Sequence, residues 1–203
     1  MKLFLPVWLL GVATAYGAST SSDAVIELEN PYLRVVRVHY NPHEKTAEHD
    51  HPPTPTIYVY VTDGGRLKIS HDGEEPVIRP VVKAGGIRFQ KGVFERHAVE
   101  ELDGVESQYI RLELKTQQVD LPEKDVRRAP ADQTPYESGM LRIMRVICAA
   151  HSDCPVSEHP ESPAVVVFGT KFSWLARNAK PVKNPSDEPM QQVRVELKTP
   201  PAK

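Results

Sequence analysis

Apolar and polar positions alternate along this chain with a period of two, over short stretches separated by turn residues. Leu33-Arg34-Val35-Val36-Arg37-Val38 is extended and β-branched. Thr56-Ile57-Tyr58-Val59-Tyr60-Val61 is a stronger strand, ended by the turn signal Asp63-Gly64-Gly65. Leu67-Lys68-Ile69-Ser70 alternates until Asp72-Gly73, a second hairpin signal. Val77-Ile78 and Val81-Val82 follow, and Gly85-Gly86 introduces Ile87-Arg88-Phe89. From Gln108 to Leu114 the faces separate cleanly, with Ile110, Leu112 and Leu114 on one side and Tyr109, Arg111 and Glu113 on the other. No segment carries a helical period. Short strands with turn signals every ~8–12 residues predict an all-β sandwich or small barrel.

Composition narrows this further. Nineteen prolines among 203 residues argue against a helix bundle, because proline breaks helix interiors and is tolerated at turns and strand edges. With 40% hydrophobic and 26% charged residues the chain is an ordinary globular one, long enough for one large or two small domains. A net charge of −2 offers no general attraction for nucleic acid or an anionic membrane surface.

The first residues lie outside this pattern. Met1-Lys2 is a short positive start, Leu3 to Val12 is mostly apolar, and small residues follow at Ala13-Thr14-Ala15 and Tyr16-Gly17-Ala18. Residues 1–17 read as a signal peptide cleaved after Ala15 or Gly17, the apolar run being short of the ~20 residues that span a bilayer. The expected location is secreted or periplasmic. Cys148 and Cys154 are the only cysteines, and oxidising surroundings favour a disulfide between them. Free thiols remain open, as does a metal reading with His151 and His159, whose spacing matches no zinc signature.

Residues 119–135 form a charged, proline-punctuated stretch that reads as a solvated linker. On either side of it the chain resembles itself. Shifted by 108 residues, Glu29–Thr62 lies on Glu137–Thr170 with eleven of 34 positions identical, including Leu33 with Leu141, Arg37 with Arg145 and His51-Pro52 with His159-Pro160. The last strands match at a shift of 83, Ile110–Thr116 against Val193–Thr199, so the later copy is 25 residues shorter there (108 against 83). Two copies of one β unit, residues 26–118 and a shortened 136–203, are the economical expectation.

The candidate chemistry lies in the first copy. In an extended strand His49 and His51 point to one face, the geometry a single ion needs from two neighbours. His97 follows the glycine-bounded Ile87–Phe89 strand, where an adjacent barrel strand would come. The plain alternative is three structural histidines. Tyr58, Tyr60, Arg88, Phe89 and Arg111 are candidates to line a barrel cavity, which strand alternation permits for half of them. Ser152 and Ser157 near His151 and His159 lack the Gly-x-Ser-x-Gly elbow of a hydrolase.

Residues Asn30 to Lys115 resemble a cupin domain, the small jelly-roll barrel of many metal-dependent and sugar-modifying proteins. His49 and His51 match the histidine pair of the family's first motif, and Tyr58 to Gly64 its strand and closing glycine. Gly86-Ile87-Arg88-Phe89, Gly92 and His97-Ala98-Val99 match the second. Two positions depart: Thr56 or Ile57 stands where the family has a glutamate ligand, and Gln90-Lys91 replaces the proline of the second motif's turn. In the second copy only His159 remains, Ser157 replacing the first histidine, so that copy is expected to be a structural partner, with Phe172 and Trp174 in its core or interface.

The resemblance implies an all-β jelly-roll barrel followed by a second, shortened cupin-like repeat. It implies a divalent metal (iron, manganese or zinc) held by His49, His51 and His97, with a small-molecule ligand or substrate. Three-histidine sites without glutamate occur in the family among iron-dependent thiol dioxygenases. An oxygenase or isomerase is one expectation, and a non-catalytic binding or structural module that has lost its metal is the other. Dimers through barrel edges are common in the family.

Overall fold

The computed structural model describes residues 24–115, 121 and 134–201. The expected signal peptide lies outside the described residues, as does the expected linker apart from Leu121, Thr134 and Pro135. The described residues form fourteen strands and no helix, hence no helix long and apolar enough to cross a membrane.

Nine strands build the first unit: β1 (Val25–Glu29), β2 (Leu33–Tyr40), β3 (His49–His51), β4 (Pro55–Tyr60), β5 (Leu67–Ser70), β6 (Val77–Arg79), β7 (Ile87–Lys91), β8 (Glu95–Glu101) and β9 (Ser107–Leu114). They divide into a five-stranded sheet, β1-β2-β9-β4-β7, and a four-stranded sheet, β3-β8-β5-β6, antiparallel throughout. β6 stops at Arg79, before Pro80, whose missing N–H cannot extend the ladder. Val82 therefore makes only an isolated bridge to Gly64, where the alternation had suggested more strand.

The second unit is one sheet only. Its strands are β10 (Tyr136–Glu137), β11 (Leu141–Cys148), β12 (Ala164–Phe168), β13 (Lys171–Leu175) and β14 (Met190–Leu197), in the order β10-β11-β14-β12-β13. The Leu33↔Leu114 pairing of β2 with β9 falls, under the shifts of 108 and 83, on the Leu141↔Leu197 pairing of β11 with β14. Among the described residues nothing in this unit corresponds to β3, β5, β6 and β8, so what it lacks is a whole sheet.

Strand alternation assigns the two faces of the first five-stranded sheet. Leu33, Val35, Ile57, Val59, Ile110, Leu112 and Leu114 pack against Leu141, Ile143, Val165, Val167, Val193, Val195 and Leu197 in one core between the units. Leu121, inside the expected solvated linker, is buried there too, and Phe172, Trp174 and Phe89 pack at its margin. The opposite face carries Val36, Val38, Tyr40, Tyr58, Tyr60 and Tyr109, which meet Ile69 and Val99 of the four-stranded sheet inside a barrel. Among the described residues the far face of the second unit's sheet has no such partner sheet, and Val146 and Cys148 pack there against Cys154 and Val182 of the loops. Cys148 and Cys154 are joined by a disulfide at that corner. Fully buried Asn184 donates there to the carbonyls of Cys148, Ala149 and Glu188.

Candidate metal centre

The histidines come together because of strand pairing. β3 lies antiparallel to β8 with His49 opposite His97 and His51 opposite Glu95. Asp50 and Arg96, the alternate pair, point outward and form an ion pair that pins the short strand to its neighbour. The chain crosses from β7 in the five-stranded sheet to β8 in the four-stranded sheet through a turn at Gly92, whose φ is +82° and where a Cβ would come 2.8 Å from the Pro55 ring. Only glycine accepts both conditions, and the turn sets where β8 begins.

The three rings are mutually close, with centroids 4.9 Å apart for His49–His51, 4.9 Å for His49–His97 and 4.7 Å for His51–His97. One ligand nitrogen from each lies within 4.8 Å of the others. His51 and His97 are buried, and His49 is half-exposed. Burial pushes the imidazolium of His51 down to about 3, helped by the neighbouring Arg111 charge, and burial lowers that of His49 as well. Both rings are therefore neutral near pH 7, the form that ligates metal.

The atoms around the rings test the fit. His49 Nδ1 is 3.0 Å from the Ala47 carbonyl oxygen and donates to it, which leaves Nε2 with a free lone pair. His97 Nδ1 lies 2.8 Å from Glu95 Oε1 outside hydrogen-bond geometry, a carboxylate backing the ring from the far side. His51 differs. Arg111 can only donate, so its contact of 3.0 Å makes His51 Nδ1 the acceptor and puts the ring's proton on Nε2. Arg111 also holds Glu113 at 3.0 Å, and swinging wholly to that carboxylate would free His51 to ligate. The set fits a divalent ion, with one arginine in competition for one ligand.

Four participants escaped the sequence reading: His71, Glu95, Gln90 and Arg111's contact with His51. Glu95 Oε1 accepts from His71 Nε2 at 3.0 Å, and Oε2 accepts from Gln90 Nε2 at 2.8 Å. Gln90 in turn accepts from the Tyr58 hydroxyl at 2.8 Å. The imidazoles of His97 and His71 hold the Glu95 carboxyl down at about 2, so it is a carboxylate. His71, Glu95 and His97 form a second group of candidate ligands that shares His97 with the first. The signal for Glu95 was its place two residues before His97 on one strand face.

The missing family glutamate is also explained. Thr56 faces the barrel and its hydroxyl donates to the Thr54 carbonyl, while Ile57 is wholly buried in the core between the units. Only position 56 could present a carboxylate to the histidines. Of the residues expected to line the cavity, Tyr58, Tyr60 and Arg88 do, Arg111 reaches His51, and Phe89 faces the other way. His159 is partly exposed beside Glu161 and belongs to no group of candidate ligands among the described residues.

No protein-family model and no curated protein sequence matches the chain. Solved structures do. GK1651 from Geobacillus kaustophilus aligns over 89% of this chain and 94% of its own at 9% identity, with a TM-score of 0.55. A mutant of Bacillus subtilis oxalate decarboxylase OxdC aligns over 90% of this chain and 78% of its own at 10% identity, TM-score 0.51. A cupin domain from Bordetella pertussis covers 47% of this chain and 95% of its own at 21% identity, TM-score 0.40. Likeness at such identities is likeness of fold. The chain has the cupin fold, an all-β jelly roll, with a buried His/Glu cluster that could hold a metal.

Proposed function

We propose that the chain is an exported, divalent-metal-binding cupin that acts on or binds a small molecule inside the barrel of its first unit. The observation that carries this reading is the meeting of His49, His51 and His97 on adjacent strands beside a cavity of about 540 Å³. A narrow space lined by His51 and His97 continues from that cavity, the two sharing Tyr40, Tyr60, Arg79, Arg88 and Tyr109. Three imidazoles leave coordination positions open, and an ion there supplies Lewis-acid activation of a ligand oxygen. The chain's own residues do the rest: the Glu95 carboxylate stands 2.8 Å from His97 Nδ1, and the Ala47 carbonyl orients His49. The tyrosines act as neutral donors, since burial pushes Tyr40 up to about 12 and raises Tyr58 and Tyr109 as well. An oxygenase or isomerase suits such a site. Export is supported by the leader-like residues 1–17 and by the disulfide.

One observation favours a second reading, a binding module without metal: the Arg111 guanidinium donates to the very histidine that should ligate. Calorimetric titration of the metal-free full chain with manganese, iron(II) and zinc separates the two. Stoichiometric binding of one ion, abolished by His97→Ala and kept by His159→Ala, supports the metal site. Absence of binding by the parent chain supports the module.

A further inference from the structure

The cavity beside the histidines has an unbalanced lining. Arg79, Lys83 and Arg88 contribute to it, and no aspartate or glutamate does. Lys83 is neutralised from outside by Asp63. Arg88 is half-buried, its guanidinium carbon 4.5 Å from the centroid of the Tyr58 ring, and it shares a hydrogen bond with Tyr60. Among the described residues no carboxylate pairs with it. Arg79 lines both the cavity and the narrow space at His51 and His97, and its guanidinium has no ion-pair or hydrogen-bond partner among the described residues. Cations held in a concave wall without counter-charges focus a positive potential into it.

A second, separate feature lies on the same wall. Val77, Ile78 and Val81 are 54%, 50% and 54% exposed, and all three line the cavity. They sit on β6, the edge strand of the four-stranded sheet, and on the segment after Pro80. Apolar side chains left open around a cavity of about 540 Å³, a size that accepts a small organic molecule, gain burial when something apolar enters. Tyr40, Tyr60 and Tyr109 add aromatic surface opposite.

We propose that this cavity binds an organic anion with an apolar or aromatic body, its anionic head at Arg79 and Arg88 and its body against Val77, Ile78 and Val81. This names the ligand class of the site proposed above and rests on that reading only for what happens next at the histidines. The head would lie at the end of the cavity that opens toward His51 and His97, because both arginines also line that narrower space.

The test uses the full chain freed of metal and kept in chelator, so that it succeeds or fails independently of metal binding. Calorimetry compares four probes: 4-phenylbutyrate, 4-phenylbutan-1-ol, 4-phenylbutylamine and acetate. The acid should bind at one site, with the alcohol, the amine and acetate each at least about tenfold weaker, the scale of one charge-assisted contact or a lost apolar body. Arg79→Gln and Arg88→Gln should each weaken the acid by about tenfold or more and leave the alcohol unchanged. Arg66→Gln, an exposed arginine paired with Asp103 outside the cavity, should change neither. Arg88 packs on Tyr58, so if its variant melts early, Arg79→Gln decides alone. An alcohol or amine that binds as tightly as the acid, acetate that matches phenylbutyrate, no binding of any probe, or indifference to Arg79→Gln would each overturn the proposal. The metal titration of the preceding section stands or falls separately.

Discussion

At the scale of single residues the site is a contest over imidazole nitrogens. Glu95 backs His97 and binds His71, so Glu95→Gln should weaken metal binding by about 10- to 100-fold, the usual effect of losing a carboxylate behind a ligating histidine. Comparing His49→Ala with His71→Ala in the same titration assigns the ion: the first should abolish binding and the second only weaken it. The reverse would move the ion to His71, Glu95 and His97. The metal-free protein should also be acid-sensitive in a defined order. Folded His51 resists protonation until about 3 against an ordinary 6.5, so the unfolded chain gains a proton first and stability falls as pH drops from 6.5 toward 3. Glu95, held at about 2 against 4.5, adds stability above 4.5 that is lost as pH falls toward 2. Urea unfolding at several pH values should show the decline beginning near pH 6.5, and His51→Asn should flatten it between 6.5 and 4.5. An unchanged slope in that variant would assign the decline to other groups.

At the scale of elements, the turn that carries the chain from β7 to β8 between the two sheets fixes the site's geometry through Gly92. Gly92→Ala faces both a positive φ and the Pro55 ring, and should cost about 1–3 kcal/mol in unfolding free energy. Metal binding should weaken with it, because β8 begins at Glu95, three residues later, and carries His97; a variant as stable as the parent would mean the turn relaxes freely. Strands such as β2, β4 and β9 were legible in the sequence because each buries both faces differently, apolar toward the second unit and aromatic toward the barrel. The His49–His51 face was legible for the same period-two reason. What could not be read was cross-strand register: nothing in the sequence says that His49 stands opposite His97, that His71 comes to 5.7 Å from it, or that Arg111 reaches His51. The family motif drew attention to an absent carboxylate near Thr56, while the carboxylate present, Glu95, lies on the other strand.

At the scale of the whole molecule, the two five-stranded sheets share one core, so neither surface is suited to water alone. The self-similarity at shifts of 108 and 83 led to the expectation of a shortened copy; the strand order shows that, among the described residues, the second unit is a single sheet without a partner sheet to make a barrel. A chain cut after residue 115 should therefore expose Leu33, Ile57, Ile110 and Leu112 and aggregate on refolding, as large apolar patches do. A soluble, monomeric fragment would show that the second unit is dispensable. The second unit covers one face of the first, whose barrel holds the histidines, the cavity and its arginines. The central claim is that this barrel carries one metal ion per chain. Elemental analysis of the protein purified without added metal tests it most directly: one equivalent of iron, manganese or zinc, lost in His97→Ala, is the expected result, and a protein with no stoichiometric metal that also takes up none would contradict it.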